Sequence, residues 1–71
     1  MREQVLSVIK QTFKLNSIDE TISQETCDIW DSLHHLNLII ELESEFDVSF
    51  EPEEIAEMKD VASIERILKT K

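Results

Sequence analysis

The sequence predicts an all-α domain, a four-helix bundle with a short third helix and a long first loop. Its 71 residues contain no glycine, so the Asn-Gly and Asp-Gly turns of β-hairpins have no support. Hydrophobic residues recur at helical spacing and make up 41% of the chain, too much for a disordered acidic segment. The length fits a single domain over residues 1–71 with a thin core.

The first predicted helix runs from about Arg2 to Lys14. Val5, Ile9 and Phe13 lie four residues apart and give this helix one apolar stripe. A long irregular segment, residues 15–31, follows, and a loop of this length must be pinned to the core by its own side chains. Its spaced hydrophobic residues are predicted to do this: Leu15, Ile18, Ile22, Ile29 and Trp30.

The second predicted helix, Ser32 to Phe46, is the centre of the bundle. Its apolar residues cover roughly 220° of the helical wheel, so we expect it to touch neighbours on more than one side. His35 and Glu43 also fall inside this apolar arc, the first at the edge of the core and the second at its rim. The apolar residues are Leu33, Leu36, Leu38, Ile39, Ile40, Leu42 and Phe46.

Two shorter helices complete the prediction. Pro52 suits the first position of the third helix, where its missing N–H would have no helical partner in any case. Asp60 is the expected N-cap of the fourth helix. The residues expected to face the core are Ile55 and Met58 in the third helix, and Val61, Ile64, Ile67 and Leu68 in the fourth.

The net charge is −9, from 16 acidic and 7 basic residues, and it is unevenly placed. Residues 32–60 hold nine acidic residues and one basic residue, a net charge of −8. This acidity argues against the phosphates of nucleic acid as a ligand. Without glycine, the sequence also excludes a P-loop, a dinucleotide-binding turn, a nucleophile elbow and an EF-hand loop.

Compartment is indicated by what the sequence lacks. One cysteine excludes an internal disulfide, and the longest apolar run, Leu38 to Ile40, is far too short to span a membrane. Glu3 and the absence of a long apolar run near it argue against a signal peptide. We therefore expect a monomer in the cytoplasm, without nucleic-acid or membrane partners.

The residues of most chemical interest lie at the start of the second helix, in Ile29–Leu33. One interpretation is a helix cap, since Asp and Ser are the commonest capping residues, and Ser32→Ala would then cost about 1 kcal/mol of stability. The other interpretation is an anion site, because the helix N-terminus would favour a phosphate on Ser32.

The Asp-Ser-Leu motif at Asp31–Leu33 and the helix end Glu41–Asp47 (Glu-Leu-Glu-Ser-Glu-Phe-Asp) resemble the acyl carrier proteins. The helix break at Glu51-Pro52, the acidic third helix and Val61 at the start of the fourth fall in register with that family without gaps. In that family the serine of the motif receives 4′-phosphopantetheine from coenzyme A. The resemblance implies that Ser32 holds this arm and that acyl groups ride on its thiol as thioesters, so the chain would be a carrier and not an enzyme.

The same resemblance assigns roles to other residues. Asp31 would help a phosphopantetheinyl transferase place its metal and coenzyme A, and Leu33 would contact a partner just past the arm. Glu41, Glu45 and Asp47 are expected to meet basic docking patches on acyl-loading and acyl-processing enzymes. The family's acyl pocket would correspond to Leu38, Leu42, Phe46, Ile55, Met58 and Ile64.

Four residues depart from the carriers of bacterial fatty acid synthesis. His34 and Asn37 replace acidic residues, His35 stands where a small hydroxyl residue is common, and Trp30 occupies a position that is usually small or aliphatic. These departures favour a dedicated stand-alone carrier that serves a specialised fatty acyl or polyketide-type pathway.

A different class of function remains open, an acidic helical module that binds other proteins. In that case Ser32 is only a helix cap, and the face that carries Leu38, Leu42 and Phe46 is a groove for a partner helix.

The two histidines suggest two further chemistries. Asp31, Ser32 and His35 could imitate the orienter, nucleophile and base of a hydrolase, but no oxyanion donors are indicated and a small bundle offers little enclosed space. Cys27 with His34 and His35 could bind zinc, but the paired-cysteine spacing of zinc sites is missing.

Overall fold

The computed structural model describes residues 2–71, which form four α-helices. They are α1, Arg2–Phe13; α2, Ser32–Phe46; α3, Pro52–Glu57; and α4, Val61–Leu68. Helix α1 packs on α2 and α4, and α3 packs on α4. The predicted all-α four-helix fold, with its short third helix and long first loop, is confirmed.

Two helices end at residues in the left-handed region. Lys14 has a φ of 55°, so α1 ends at Phe13, one residue earlier than predicted. Asp47 has a φ of 54°, and its N–H donates to the Glu43 carbonyl at the end of α2. Glycine usually takes such positions at no steric cost, but this chain has none to place there.

The core is a single hydrophobic cluster between α1, α2 and α4. Helix α3 contributes no buried residue, although Phe50 before it and Met58 after it are both buried. Most of the other buried hydrophobic residues belong to the predicted apolar stripes of α1 and α4. The buried hydrophobic residues are Val5, Val8, Ile9, Phe13, Trp30, Leu38, Ile39, Leu42, Phe50, Met58, Val61, Ile64, Ile67 and Leu68.

The long first loop is pinned by side chains, as its hydrophobic spacing predicts, with one exception. Leu15, Ile18 and Ile22 pack partly buried against the core, and Trp30 is part of it. Ile29 is 39% exposed and so does not pin the loop.

The backbone of the loop is held as well, at the junction between α3 and α4. Ser23 and Asp60 form an isolated antiparallel bridge. The Gln24 N–H donates to the Lys59 carbonyl at 2.9 Å. These bonds join segments far apart in the chain, and no local pattern predicts them.

The starts of α3 and α4 lie where Pro52 and the predicted Asp60 cap place them. The Glu51 N–H donates to the Glu54 carboxylate at 2.8 Å, and Pro52 occupies the first turn. Asp60 Oδ1 accepts the Ser63 N–H at 2.8 Å at the start of α4. This backbone bond, together with a bond from the Ser63 side chain, holds the pKa of Asp60 below its usual value.

Within residues 2–71, none of the helices has the length and apolar character needed to cross a bilayer.

Candidate attachment site and docking face

Asp31, and not Ser32, caps α2. Asp31 has an extended backbone, with φ −94° and ψ −174°, and its Oδ1 accepts the His34 backbone N–H at 2.9 Å. The interpretation of Ser32 as the cap is therefore wrong, because the residue before it already makes the capping bond.

Asp31 is held ionised by His34. The His34 backbone N–H and then the His34 side chain hydrogen-bond to the Asp31 carboxylate, and both hold the pKa of Asp31 below its usual value. His34 Nδ1 lies 2.9 Å from Asp31 Oδ1. An ionised carboxylate only accepts hydrogen bonds, so His34 Nδ1 carries the proton in this pair.

Ser32 is the first residue of α2, and its side chain is exposed to solvent. Since Asp31 caps the helix, the Ser32 hydroxyl is not needed for that structural task. A phosphate on this hydroxyl would lie at the N-terminus of a 15-residue helix, where the helix dipole favours negative charge. The residues present therefore fit a covalently attached phosphodiester.

A stripe of exposed apolar side chains starts beside Ser32. Leu33 is 66% exposed, Leu36 is 55% exposed and Ile40 is 60% exposed. Their spacing of three and four residues places them on one face of α2, which we call the docking stripe. An exposed apolar patch of this kind marks an interaction surface more often than a fold requirement.

The docking stripe corrects one prediction from the helical wheel. The apolar arc of α2 was expected to meet neighbours on more than one side, and for Leu33, Leu36 and Ile40 this is wrong. The family resemblance assigned Leu33 to a partner but missed the other two. Their positions, three and seven residues after Leu33, are the signal that could have found them.

The acidic residues expected to meet partners are all exposed, and they lie towards the C-terminal end of α2. Glu41 and Glu45 line a groove of about 390 Å³ between α1 and α2, and Ile40 of the docking stripe lines it too. Asp47 lies at the far end of α2, roughly 22 Å of helix from Ser32. The other lining residues of the groove are Val8, Gln11, Thr12 and Asn37.

The six residues expected to line an acyl pocket all lie in the core or against it. Because the Leu38 and Leu42 side chains are fully buried, the face that they share with Phe46 is not an open groove, and that form of the interaction module is wrong. Of the six, Leu38, Leu42, Met58 and Ile64 are wholly buried, and Phe46 and Ile55 are partly buried.

Glu43 has a structural task that the sequence pattern did not reveal. Its Oε2 accepts the Phe50 N–H at 2.9 Å, which ties the segment between α2 and α3 to α2. The two residues are seven apart, so a helical wheel places Glu43 in the apolar arc but does not show its partner.

His35 is buried, with 8% of its surface exposed, and both of its ring nitrogens are hydrogen-bonded. The Trp30 indole N–H donates to His35 Nδ1 at 2.9 Å. Because Nδ1 must accept this bond, the ring proton lies on Nε2, which donates to the Ile55 carbonyl at 2.8 Å.

These bonds bear on both alternatives that used the histidines. His35 has no free nitrogen to take a proton from Ser32 or to bind zinc. Among residues 2–71, no group of three or more His, Cys, Asp or Glu side chains is placed to hold a metal ion.

Comparison with known proteins finds a similar solved structure. No family model matches the chain, and no curated protein matches it. Among solved structures, it is similar to the solution NMR structure of the holo acyl carrier protein from Geobacter metallireducens, with 29% identity and a TM-score of 0.87. The match covers 99% of this chain and 83% of that one. The resemblance predicted from the sequence is confirmed: the chain has the fold of an acyl carrier protein, which is the fold of a carrier and not of an enzyme.

Proposed function

We propose that Ser32 carries 4′-phosphopantetheine, transferred from coenzyme A by a phosphopantetheinyl transferase. When bound, this group supplies a thiol on a flexible arm, to which acyl groups are attached as thioesters. The observation that carries the proposal is the exposed Ser32 hydroxyl at the start of α2, left free by the Asp31 cap. It occurs in a chain whose fold matches that of a holo acyl carrier protein.

Asp31 supports attachment from the neighbouring position. Its carboxylate is ionised at neutral pH, and the hydrogen bonds from His34 hold its pKa below the usual value. Both hydrogen bonds from His34 go to Oδ1, which leaves Oδ2 for a metal ion held by the transferase. This arrangement supports the role that the family resemblance implies for Asp31.

The docking stripe and its acidic border favour partners with a mixed surface. Leu33, Leu36 and Ile40 offer apolar contact directly beside the arm. Glu41 and Glu45, next to the stripe, favour basic residues on the loading and processing enzymes. Asp47 belongs to a second contact further along α2.

The six residues predicted as an acyl pocket are apolar and lie in the core or against it. An alkyl chain admitted among them would gain free energy by burial, but the core must open before a chain can enter. Ordinary core packing and lining a pocket are compatible roles for these residues.

The two histidines support a dedicated carrier for a specialised fatty acyl or polyketide-type pathway. A cytoplasmic monomer remains part of the same proposal. His34 is bonded to Asp31, and His35 is bonded to Trp30 and to Ile55. Both side chains therefore alter the surroundings of the attachment serine, where carriers of bacterial fatty acid synthesis usually have acidic or small hydroxyl residues.

The proposal is tested by mass spectrometry of the protein after incubation with coenzyme A and a phosphopantetheinyl transferase. We expect the mass to rise by one phosphopantetheinyl arm, and we expect no rise in Ser32→Ala. Ser44→Ala is the matched control, because Ser44 is an exposed serine of the same helix, and this variant should be modified like the wild type.

Failure of several transferases to modify the wild type would count against the carrier. It would favour the interaction module, now with the docking stripe as its binding surface.

A further inference from the structure

We propose that His35 is a latch that holds α3 against α2 and keeps the apolar interior closed to the carried acyl chain. The cargo then stays outside the core unless this latch is released. The inference rests on the proposed function, in which Ser32 bears the arm. It adds that, while the latch is closed, long and short acyl chains are equally exposed to solvent and their thioesters are cleaved at the same rate.

Helix α3 is the part of the bundle that can move at least cost. It has six residues, none of them buried, and it packs on α4. Helices α1, α2 and α4 each contribute four buried residues. Displacing α3 therefore uncovers less apolar surface than displacing any other helix, so an acyl chain would reach the interior past α3.

His35 supplies the buried tie across this opening. Its Nε2 donates to the Ile55 carbonyl at 2.8 Å, and this bond joins the first turn of α2 to the middle of α3. If α3 moved away, the N–H of a side chain that is only 8% exposed would lose its acceptor. Leaving a buried polar group unpaired is costly, so the bond resists opening.

The imidazole cannot swing aside to release α3. The Trp30 indole donates to Nδ1 at 2.9 Å and stacks on the imidazole with ring centroids 6.3 Å apart. Phe13 of α1 packs edge-on against Trp30 at 5.5 Å. Trp30, itself packed against Phe13 of α1, therefore fixes the position of the His35 ring. The remaining ring N–H of His35 points at α3.

The other polar contacts near α3 hold it less firmly than His35 does, because they are exposed to solvent or act outside the helix. Glu54 of α3 accepts a hydrogen bond from Lys71 at 2.6 Å, with both side chains more than one-fifth exposed, so water and salt screen this pair. Glu43 holds Phe50, which precedes α3 and does not belong to it. The bond from His35 comes from a buried side chain, and it acts on α3 itself.

The first test measures hydrogen exchange in the unmodified protein. His35→Leu removes the donor, whereas His35→Gln keeps an N–H near the position of Nε2. We expect the amides of Ile55 and Met58 to exchange about tenfold faster in His35→Leu, measured relative to the amides of α1. His35→Gln should restore the wild-type ratio. A general loss of stability would speed α1 and α3 alike and leave this ratio unchanged.

The second test compares acetyl and octanoyl thioesters on the modified protein by their rates of cleavage with hydroxylamine. In the wild type we expect equal lifetimes, because neither chain enters the core. In His35→Leu the octanoyl thioester should survive several-fold longer than the acetyl thioester. Asn37→Leu, which adds the same side chain at an exposed position of α2, should behave like the wild type.

Two results would overturn the latch. One is an unchanged ratio of α3 to α1 exchange in His35→Leu. The other is strong protection of the octanoyl thioester in the wild type. If His35→Leu does not fold, the wild-type chain-length comparison decides, together with exchange in Trp30→Phe, where loss of the indole donor should speed α3. Absence of the arm on Ser32 would instead reject the proposed function. The hydrogen-exchange test would still decide whether His35 holds α3, because it uses the unmodified protein.

Discussion

Asp31, Asp60 and Ser32 show how far single residues can be predicted from their neighbours in sequence. Caps act over three residues, so Asp60 was identifiable from its position before an apolar run. At Asp31-Ser32 the same rule left two candidates, and only the backbone angles decide between them. The partner of His35 lies 20 residues away in sequence, and no local rule reaches that far.

Asp60→Ala tests the cap of α4. Loss of the acceptor for the Ser63 N–H should lower the free energy of unfolding by about 1 kcal/mol at neutral pH. The folded state holds the pKa of Asp60 below its usual value, so the unfolded state binds the proton first as the pH falls. The difference between wild type and variant should be complete above about pH 5 and should decline as the pH falls through the unfolded and then the folded pKa.

Urea unfolding at a series of pH values measures this difference. Asp28→Ala, at an exposed loop position, is the control and should leave the free energy of unfolding nearly unchanged. A difference between wild type and Asp60→Ala that grew as the pH fell would contradict the role of Asp60 as an ionised cap.

Helix α2 shows which properties of an element follow from periodicity. Its bounds were predicted as Ser32 to Phe46 and confirmed, because the cap and the apolar pattern both lie within the segment. Its exposed side was not predicted. A helical wheel shows which side chains share a face, but it does not say how many neighbours the helix has. Here the core covers Leu38 and Leu42, while Leu36 remains in solvent.

Lys14→Gly tests the cost of ending α1 without glycine. A non-glycine residue in the left-handed region carries strain of about 1–2 kcal/mol, which glycine removes. Glycine also raises the entropy of the unfolded chain, and this lowers stability by about 0.4–1 kcal/mol. With φ at 55°, Lys14→Gly should therefore raise the free energy of unfolding by up to about 1 kcal/mol.

The measurement is the free energy of unfolding in urea, and Lys10→Gly is the matched control. Lys10 is an exposed lysine in the last turn of the same helix, where the backbone is helical and glycine should cost up to about 1 kcal/mol. If both variants were destabilised alike, the left-handed backbone at Lys14 would carry no strain.

For the molecule as a whole, the pattern and the family resemblance together predicted the four-helix order, and the structure confirmed it. The path of residues 15–31 could be predicted only in part. Its hydrophobic spacing showed that the loop is pinned, but the pairing of Ser23 with Asp60 depends on two segments that meet only after folding. The net charge could be counted from the composition alone, since counting charged residues needs no knowledge of their contacts.

That charge predicts how stability responds to salt. The molecule measures 29 × 22 × 18 Å, and the Debye length falls from about 30 Å at 0.01 M salt to about 10 Å at 0.1 M. At low salt, the acidic groups behind the net charge of −9 therefore repel one another across the whole molecule. Added potassium chloride at neutral pH should raise Tm, because screening weakens this repulsion more than it weakens the few surface ion pairs.

Thermal unfolding followed by circular dichroism checks the direction of the shift. The control is the same salt series near the isoelectric point of about 4.4, where the net charge vanishes and Tm should stay nearly constant. A fall in Tm with salt at neutral pH would mean that local pairs such as Arg2 with Glu65 outweigh the overall repulsion.

The capping of α2 by Asp31 has a practical consequence for protein engineering. Since the helix does not depend on the hydroxyl at position 32, that position can take other chemistry while the bundle stays folded. The chain has one cysteine, so Ser32→Cys combined with Cys27→Ser leaves a single thiol at an exposed helix start. Dyes, surface linkers or synthetic payloads could then be attached there by ordinary maleimide coupling, without any enzyme.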